Sequence, residues 1–338
     1  MGTLARFPRL IAVAAVAAVA GLGLGAAIPA GAQTFTWNFA NAYSPGEFLS
    51  EEMQGFADRL RERSDGTIDI EVHHAGSLFP NTEILQATRS GFVELGTQLM
   101  TNLGRENALW EVDGIPFLVN SYDEAKLLWE VSRPRLEELL AADGLRLLYA
   151  APWPSQGFFF DREVNTLADI EGLPKRAYNP STTRLAELMG TTPTTVQITE
   201  MPQAFATGLI RGLNTSPTTG VLYTAWEYTS HFYNANAWLP KQMIFIREEA
   251  FQSLPAELQD LLLEEAAIAE ERTWDRSEEL VSSAVATLEE NGMTIVVPSG
   301  QLAEEFAAIG ETMLAEWQAN ADAEAAEVVA EFQRRQAE

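Results

Sequence analysis

The sequence predicts an α/β protein of two lobes that close like a clamshell, with mixed sheets and one long helix bridging the hinge. Three observations carry that expectation. Strand-like alternation and helical apolar spacing follow one another twice along the chain, once on each side of a proline-rich break at Pro152 and Pro154. A stretch from Pro255 to about Asn291 keeps helical apolar spacing for longer than one small lobe can cover. Once a leader is set aside, the chain is long enough for two domains.

The leader is residues 1–32. Arg6 and Arg9 precede "LIAVAAVAAVAGLGLGAA", which ends in Ala30-Gly31-Ala32. A basic start, a weakly apolar middle and a small-x-small exit predict a secretory signal rather than a spanning anchor, and hence a periplasmic protein. The sequence contains no Cys, so disulfide and thiol chemistry are excluded. The chain carries 22 cations against 48 acids, and without Arg6 and Arg9 the balance is 20 against 48. That surface disfavours nucleic acid and anionic lipid, so neither partner nor membrane insertion after signal cleavage is expected, and a monomer is.

In the first unit, "TFTWNFANAYSP" reads as a strand and a polar turn. "GEFLSEEMQGFADRLRERSDG" reads as a helix stopped at Asp65-Gly66, and "TIDIEVHH" as a strand. "NTEILQATRSGF" reads as a helix with Asn81 as N-cap, "VELGTQLM" as the next strand. "SYDEAKLLWEVSRPRLEELLAADG" is helical and "LRLLYAAPWP" is a buried strand. In the second unit, Phe158–Phe160 and "LPKRAY" are strands, "LADIEG" a short helix, "STTRLAELMG" a longer one. "TTPTTVQI" is a strand and "MPQAFATGLIRG" a helix whose Pro202 suits the first turn. "AWLPKQMIFIREEAFQSLP" returns to strand, "MTIVVPS" is the last strand, and one helix runs from about Gln301 to the end. The division expected is 33–155 with 241–280 in lobe one, and 156–240 with 281–338 in lobe two.

Enzymatic machinery is missing. His73 and His74 are adjacent on a strand and point to opposite faces; His231 is the third and last His. No metal-binding spacing, nucleophile elbow or phosphate loop is present, so no catalytic residue, metal or cofactor is expected. What stands out is Lys175-Arg176, two cations inside a short strand of an acidic chain. From the residues alone Arg176 is either half of an ion pair with Glu171 or Glu187, or an anion site. Lys175 should face the opposite side of the strand, in solvent.

Four collinear segments bear on that choice: "FADRLRERSDGTIDIEVHHAGSLF", "GIPFLVNSYDEA", "LADIEGLPKRAYNPSTTRLAELMGTTPTTVQITEMPQAFATGLIRG" and "EEAFQSLPAELQDLLLEEA". Together they resemble the solute-binding proteins of tripartite ATP-independent periplasmic (TRAP) transporters. The resemblance covers nearly all of the chain after residue 32. It implies a non-enzymatic receptor that captures a small organic acid between its lobes and hands it to membrane permease subunits. The family's arginine four residues after a Gly falls on Arg176, where the resemblance implies a solute carboxylate as partner. Guanidinium suits that role, with a planar fork of donors that stays charged. Two departures are visible. A strand that often carries a second Arg reads "QGFFFDR", putting Phe159 near that place, and the usual Asp of a later "DG" is Arg211. Loss of a cation and gain of Phe imply an apolar or aromatic monocarboxylate, such as a 2-oxo or hydroxy acid, with a sulfonate as the nearest competitor. Further cleft candidates are Asn41, Gln98, Trp153, Gln156, Asn214, Thr215 and Trp226, with Phe158 and Tyr223 beside them. A periplasmic enzyme for an acidic substrate, or a sensor of the same solute, are the alternative readings.

Overall fold

The computed structural model describes residues 34–338, so the expected leader lies outside the described residues. The first sheet has the order β2-β1-β3-β10-β4, with β1 (Phe35–Ala40), β2 (Ile68–His73), β3 (Leu95–Leu99), β4 (Leu145–Pro152) and β10 (Lys241–Arg247). β1 pairs in parallel with β2 and β3, while β10 runs antiparallel between β3 and β4. The second sheet has the order β11-β9-β5-β8-β6-β7. Its strands are β5 (Gly157–Phe160), β6 (Pro174–Ala177), β7 (Thr192–Thr195), β8 (Gly212–Thr215), β9 (His231–Tyr233) and β11 (Thr294–Val296).

Sequence periodicity sets the covering layers. In α1 (Phe48–Arg63) the residues Leu49, Met53, Phe56, Ala57 and Leu60 form one buried stripe. Asp65 and Gly66 then turn the chain with positive φ, 50° and 75°. α3 (Tyr122–Ala142) is capped by Ser121, whose hydroxyl accepts from the Glu124 amide. α4 (Pro180–Leu188) is capped by Asn179 and starts on a proline.

Two chain crossings join the lobes as a hydrogen-bonded pair. Trp153 N donates to Pro240 O, Gln156 N to Trp238 O and Ala237 N to Gln156 O, each at 2.9 Å. A third crossing is the long helix α8 (Ala256–Glu290), 35 residues and therefore about 52 Å. Its first half lies on α1 and β4, its second on α6 (Pro217–Leu222) and β11. Paired charges lock it to α1: Glu265 takes Arg59 and Arg63 at 2.8 and 2.6 Å, and Glu52 takes Arg272 and Arg276 at 3.1 and 3.0 Å.

Three expectations need correction. The final helix is two, α9 (Gly300–Asn320) and α10 (Ala323–Gln336), broken at Ala321, with Asp322 capping the second. α10 packs on α3, and Ala325, Val329 and Phe332 join the first sheet's core, so 281–338 does not all belong with the second sheet. Asn81 caps nothing: α2 (Ile84–Arg89) begins after Glu83.

Gly157 begins β5 where a Cβ would sit 2.6 Å from the Tyr233 carbonyl oxygen, a backbone atom that cannot swing away. Gly157→Ala should therefore destabilise the protein by about 1–3 kcal/mol through overpacking. Urea unfolding should show a lower midpoint with an unchanged slope.

Candidate functional site

β5 and β8 place core side chains on both faces and Lys175, Arg176 and Ala177 of β6 are all buried, so the residues that reach the gap between the sheets lie at or near strand ends. Ligands of α/β sheets sit in such crevices. There lies a cavity of ≈ 60 Å³, room for about four or five waters at the usual 10–15 Å³ each. Its apolar walls are Leu99, Trp153, Ile198 and Pro240, and its polar groups are Tyr43, Asn81, Asn102, Gln156, Tyr178, Gln197, Thr215 and Thr219. Arg176 supplies the single cation of its lining. Asn81, Asn102, Tyr178 and Gln197 also line a wider outer cavity of ≈ 670 Å³.

Arg176 is only 4% exposed. Its Nε donates to the Val196 carbonyl at 2.9 Å, and the guanidinium lies 4.8 Å from the Tyr178 ring centre. Burial pulls its pKa down while the surrounding tyrosines oppose that. No carboxylate among the described residues forms an ion pair with it; Glu187 pairs with Arg184 instead, at 3.0 Å. A buried cation resting on neutral groups has unused donor capacity and a desolvation cost that an incoming anion offsets.

The walls are held from behind. Trp153 meets Phe48 edge-on at 5.9 Å and Tyr43 at 4.9 Å. The Gln242 amide, turned so that its oxygen accepts from Gln98 N (3.0 Å) and Leu99 N (3.1 Å), donates to the Tyr43 hydroxyl oxygen at 3.0 Å. That leaves the Tyr43 O–H free to donate elsewhere. Asn81 Oδ1 and Asn102 Oδ1 are buried acceptors with no protein partner. Across the gap, Asn179 Nδ2 donates to Thr101 Oγ1 at 2.8 Å and Thr219 Oγ1 to Glu47 Oε1 at 3.4 Å.

Of the residues expected from sequence, the structure brings Arg176, Trp153, Gln156 and Thr215 to the inner cavity. Gln98 lines the outer one. Asn41 stands behind the wall: its Nδ2 donates to Ser50 Oγ at 2.8 Å, and its Oδ1 accepts from Tyr43 N at 3.1 Å. Asn214 is fully buried next to Thr215 and is not part of the lining. Phe159 is misplaced by the sequence reading. It is core, 4.5 Å from the Phe232 ring and against Gly220, on the sheet face covered by α6 and α8. Phe158 is core on the opposite face, with Trp238 and Phe306. Trp226 packs in the Phe159 cluster, and Tyr223 stands beside Glu47. Lys175 is not solvated but fully buried, because β6 lies inside the sheet between β8 and β7. Its Nζ donates to Asn214 Oδ1 at 2.6 Å.

Sequence reasoning missed Tyr43, Asn81, Asn102, Tyr178, Gln197, Ile198 and Thr219. Tyr43, Asn102, Tyr178, Gln197 and Ile198 follow β1, β3, β6 and β7 within a few residues, which is the signal the strand-end rule offers.

Residues 39–320 match the family described as bacterial extracellular solute-binding protein, family 7. The chain belongs to that family. Its members include the TRAP solute-binding subunits. The crystal structure of DctP7, a Bordetella pertussis extracytoplasmic solute receptor binding pyroglutamic acid, is 36% identical, with TM-score 0.87 over 89% of this chain and 100% of that one. A marine metagenome TRAP solute-binding protein with co-purified pyroglutamate is 32% identical, with TM-score 0.86 over 89% and 99%. A solute-binding protein of Chromohalobacter salexigens is 26% identical over 226 residues, so the chain spans 65% of that relative's length. These relatives are receptors rather than enzymes, and the catalytic alternative is set aside on that ground. The family is extracytoplasmic, and no helix among the described residues is long and apolar enough to cross a membrane.

Glu47 gives the site a pH signature. Burial pushes its carboxyl up to about 7, eased by the Thr219 hydroxyl. A raised carboxyl contributes stability that is complete below its unfolded value and is lost as pH rises through about 7. Glu47→Gln should match wild type near pH 4 and be the more stable of the two near pH 8. Denaturant midpoints across that range check it; a difference independent of pH would refute it.

Proposed function

We propose that this protein is the receptor subunit of a TRAP transporter and captures a small cyclic monocarboxylate of the pyroglutamate class for delivery to membrane permease subunits. The observation that carries the reading is one buried cation without a carboxylate partner in the same small cavity lining as two unpartnered buried amide oxygens. Arg176 takes the solute carboxylate as a fork. Asn81 Oδ1 and Asn102 Oδ1 suit a ring N–H, and the free Tyr43 O–H suits a ring carbonyl. Trp153, Leu99, Ile198 and Pro240 pack against the ring edges. The pyroglutamate-bound relatives support the same class.

The aromatic end expected from Phe159 loses its support, since that ring is core. The expectation of a monoanion keeps its support: Arg176 is the single cation of the lining, so a second carboxylate would have no counter-charge, and leaving it unpaired costs about 1–3 kcal/mol or more. A C4-dicarboxylate-binding relative from Rhodobacter capsulatus, 24% identical over 256 residues, favours the dicarboxylate alternative. Thermal shift against L-pyroglutamate, cyclopentanecarboxylate, phenylpyruvate and succinate separates these readings, because a ligand of the native state raises the melting temperature. L-pyroglutamate should stabilise most, and cyclopentanecarboxylate, lacking the lactam, clearly less. Succinate in first place would overturn the proposal.

Arg176→Ala should lose about 2–5 kcal/mol of binding, partly through stranding the solute's charge. Arg176→Lys should recover only part, since the fork is gone. Calorimetric titration reads both, and near-wild-type affinity in Arg176→Ala would remove Arg176 as the anchor.

A further inference from the structure

Lys175 is the charged side chain that this binding scheme leaves over. It is one residue from Arg176, on the opposite face of β6, and fully buried. The groups that face it come from three strands. β8 offers Asn214 Oδ1 at 2.6 Å, β5 offers the Phe158 ring at 5.7 Å, and its own strand places the Arg176 charge beside it. Its ammonium forms no ion pair with any carboxylate among the described residues; the buried Asp113 pairs with Lys241 instead, at 3.6 Å. Asn214 Nδ2 is buried and has no hydrogen-bond partner, and the Asn214 side chain lies near the Tyr178 hydroxyl. Tyr178 lines the cavity and carries the Arg176 guanidinium on its ring. Lys175 is thus bonded to Asn214, which precedes the cavity residue Thr215 in β8 and lies near Tyr178.

We propose that Lys175 is a positioning residue of the anion site and the group at which solute binding takes up a proton. A carboxylate docked on Arg176 cancels the positive charge that opposes a second one next door. A proton from solvent then joins the Lys175 amine lone pair, and the resulting ammonium makes a charge-assisted bond that fixes the Asn214 amide, and through it Tyr178. Before the solute arrives, burial first and Arg176 second hold the Lys175 pKa down to about 7. The free amine is thus partly neutral at neutral pH, and binding that favours its charged form must be weaker above that value. Glu47 titrates in the same region from behind Thr219, so the two are separated by variants.

The inference rests on the anion reading above, and the test distinguishes the two. Calorimetric titrations with L-pyroglutamate, pyruvate and benzoylformate would be run in phosphate and in Tris near pH 7.5, where the difference in heats counts protons exchanged with buffer. Wild type should take up a sizeable fraction of a proton per solute. A displacement of about one pKa unit corresponds to a roughly tenfold loss of affinity between about pH 6 and pH 9. Lys175→Met, which keeps an apolar stem, should lose the uptake and most of that pH dependence; Glu47→Gln should retain both. Equal uptake in Lys175→Met and wild type would overturn the proposal. Should Lys175→Met fail to fold, Glu47→Gln decides: binding without proton uptake in that variant overturns it, and binding with uptake supports it. No binding of any of the three acids would overturn the anion reading and this inference together.

Discussion

A guanidinium held out of water without a counter-charge governs this structure. Other arginines of the chain that pack against helices are answered by carboxylates, as Arg59 and Arg63 are by Glu265 and Arg133 by Glu137 and Glu270. Arg176 has a carbonyl oxygen and the face of a tyrosine. With 48 acids against 22 cations, leaving Arg176 and its neighbour Lys175 unmatched requires that acids be kept away from them. The cavity lining shows how: among its members there are amides, hydroxyls and apolar groups, and no carboxylate. Isolated burial of an ion is costly unless partners are supplied, so the arrangement holds an unmet demand that one anion answers.

That demand sets the task of the scaffold, which is to keep the gap shaped while the solute is away. The hydrogen-bonded crossings at Trp153–Gln156 and Ala237–Pro240 lie directly beside the cavity, and Trp153, Gln156 and Pro240 belong to both. A change in angle at the hinge therefore moves the cavity wall. α8 spans both lobes, but its charge pairs with α1 involve Glu265, Arg272 and Arg276 in its middle and first half, while Leu288 packs in the second sheet's core. The anchoring is therefore ionic on one lobe and apolar on the other.

Sequence periodicity made the covering helices and most strands legible, because those patterns are set by which face is buried. The family resemblance pointed to Arg176 and Thr215, and the proline-rich break to Trp153 and Gln156, all four of which line the cavity. Sequence reasoning failed where a residue's surroundings are decided by non-local cover. Phe159 and Lys175 lie in short strands whose two faces are both packed, so alternation did not mean one face in water. Lys175 is the sharper case, since a lysine in a hydrophilic-looking "LPKRAY" gives no local sign that β7 and β8 enclose it. Asn81 looked like a helix cap because the residue type fits; the chain instead starts α2 at Ile84 and leaves the amide at the cavity.

The acidity of the chain bears on how an anion reaches such a site. A net charge of −26 repels it at long range, but at physiological salt charges more than about 8 Å apart are largely screened. Selection then rests on what the solute meets inside. The outer cavity presents Arg89, Arg105 and Arg184, and two of these, Arg89 and Arg184, are already bound to carboxylates and offer little net attraction. In the inner cavity the lining holds no acid, and Arg176 is its one cation. A simple attractive charge would hold any small acid, succinate included. On the proposed reading, the two unpartnered acceptors in the same lining add choice, because they favour a solute that brings an N–H. In the proposed scheme the cation accounts for a preference for acids, and the amides for a preference among them.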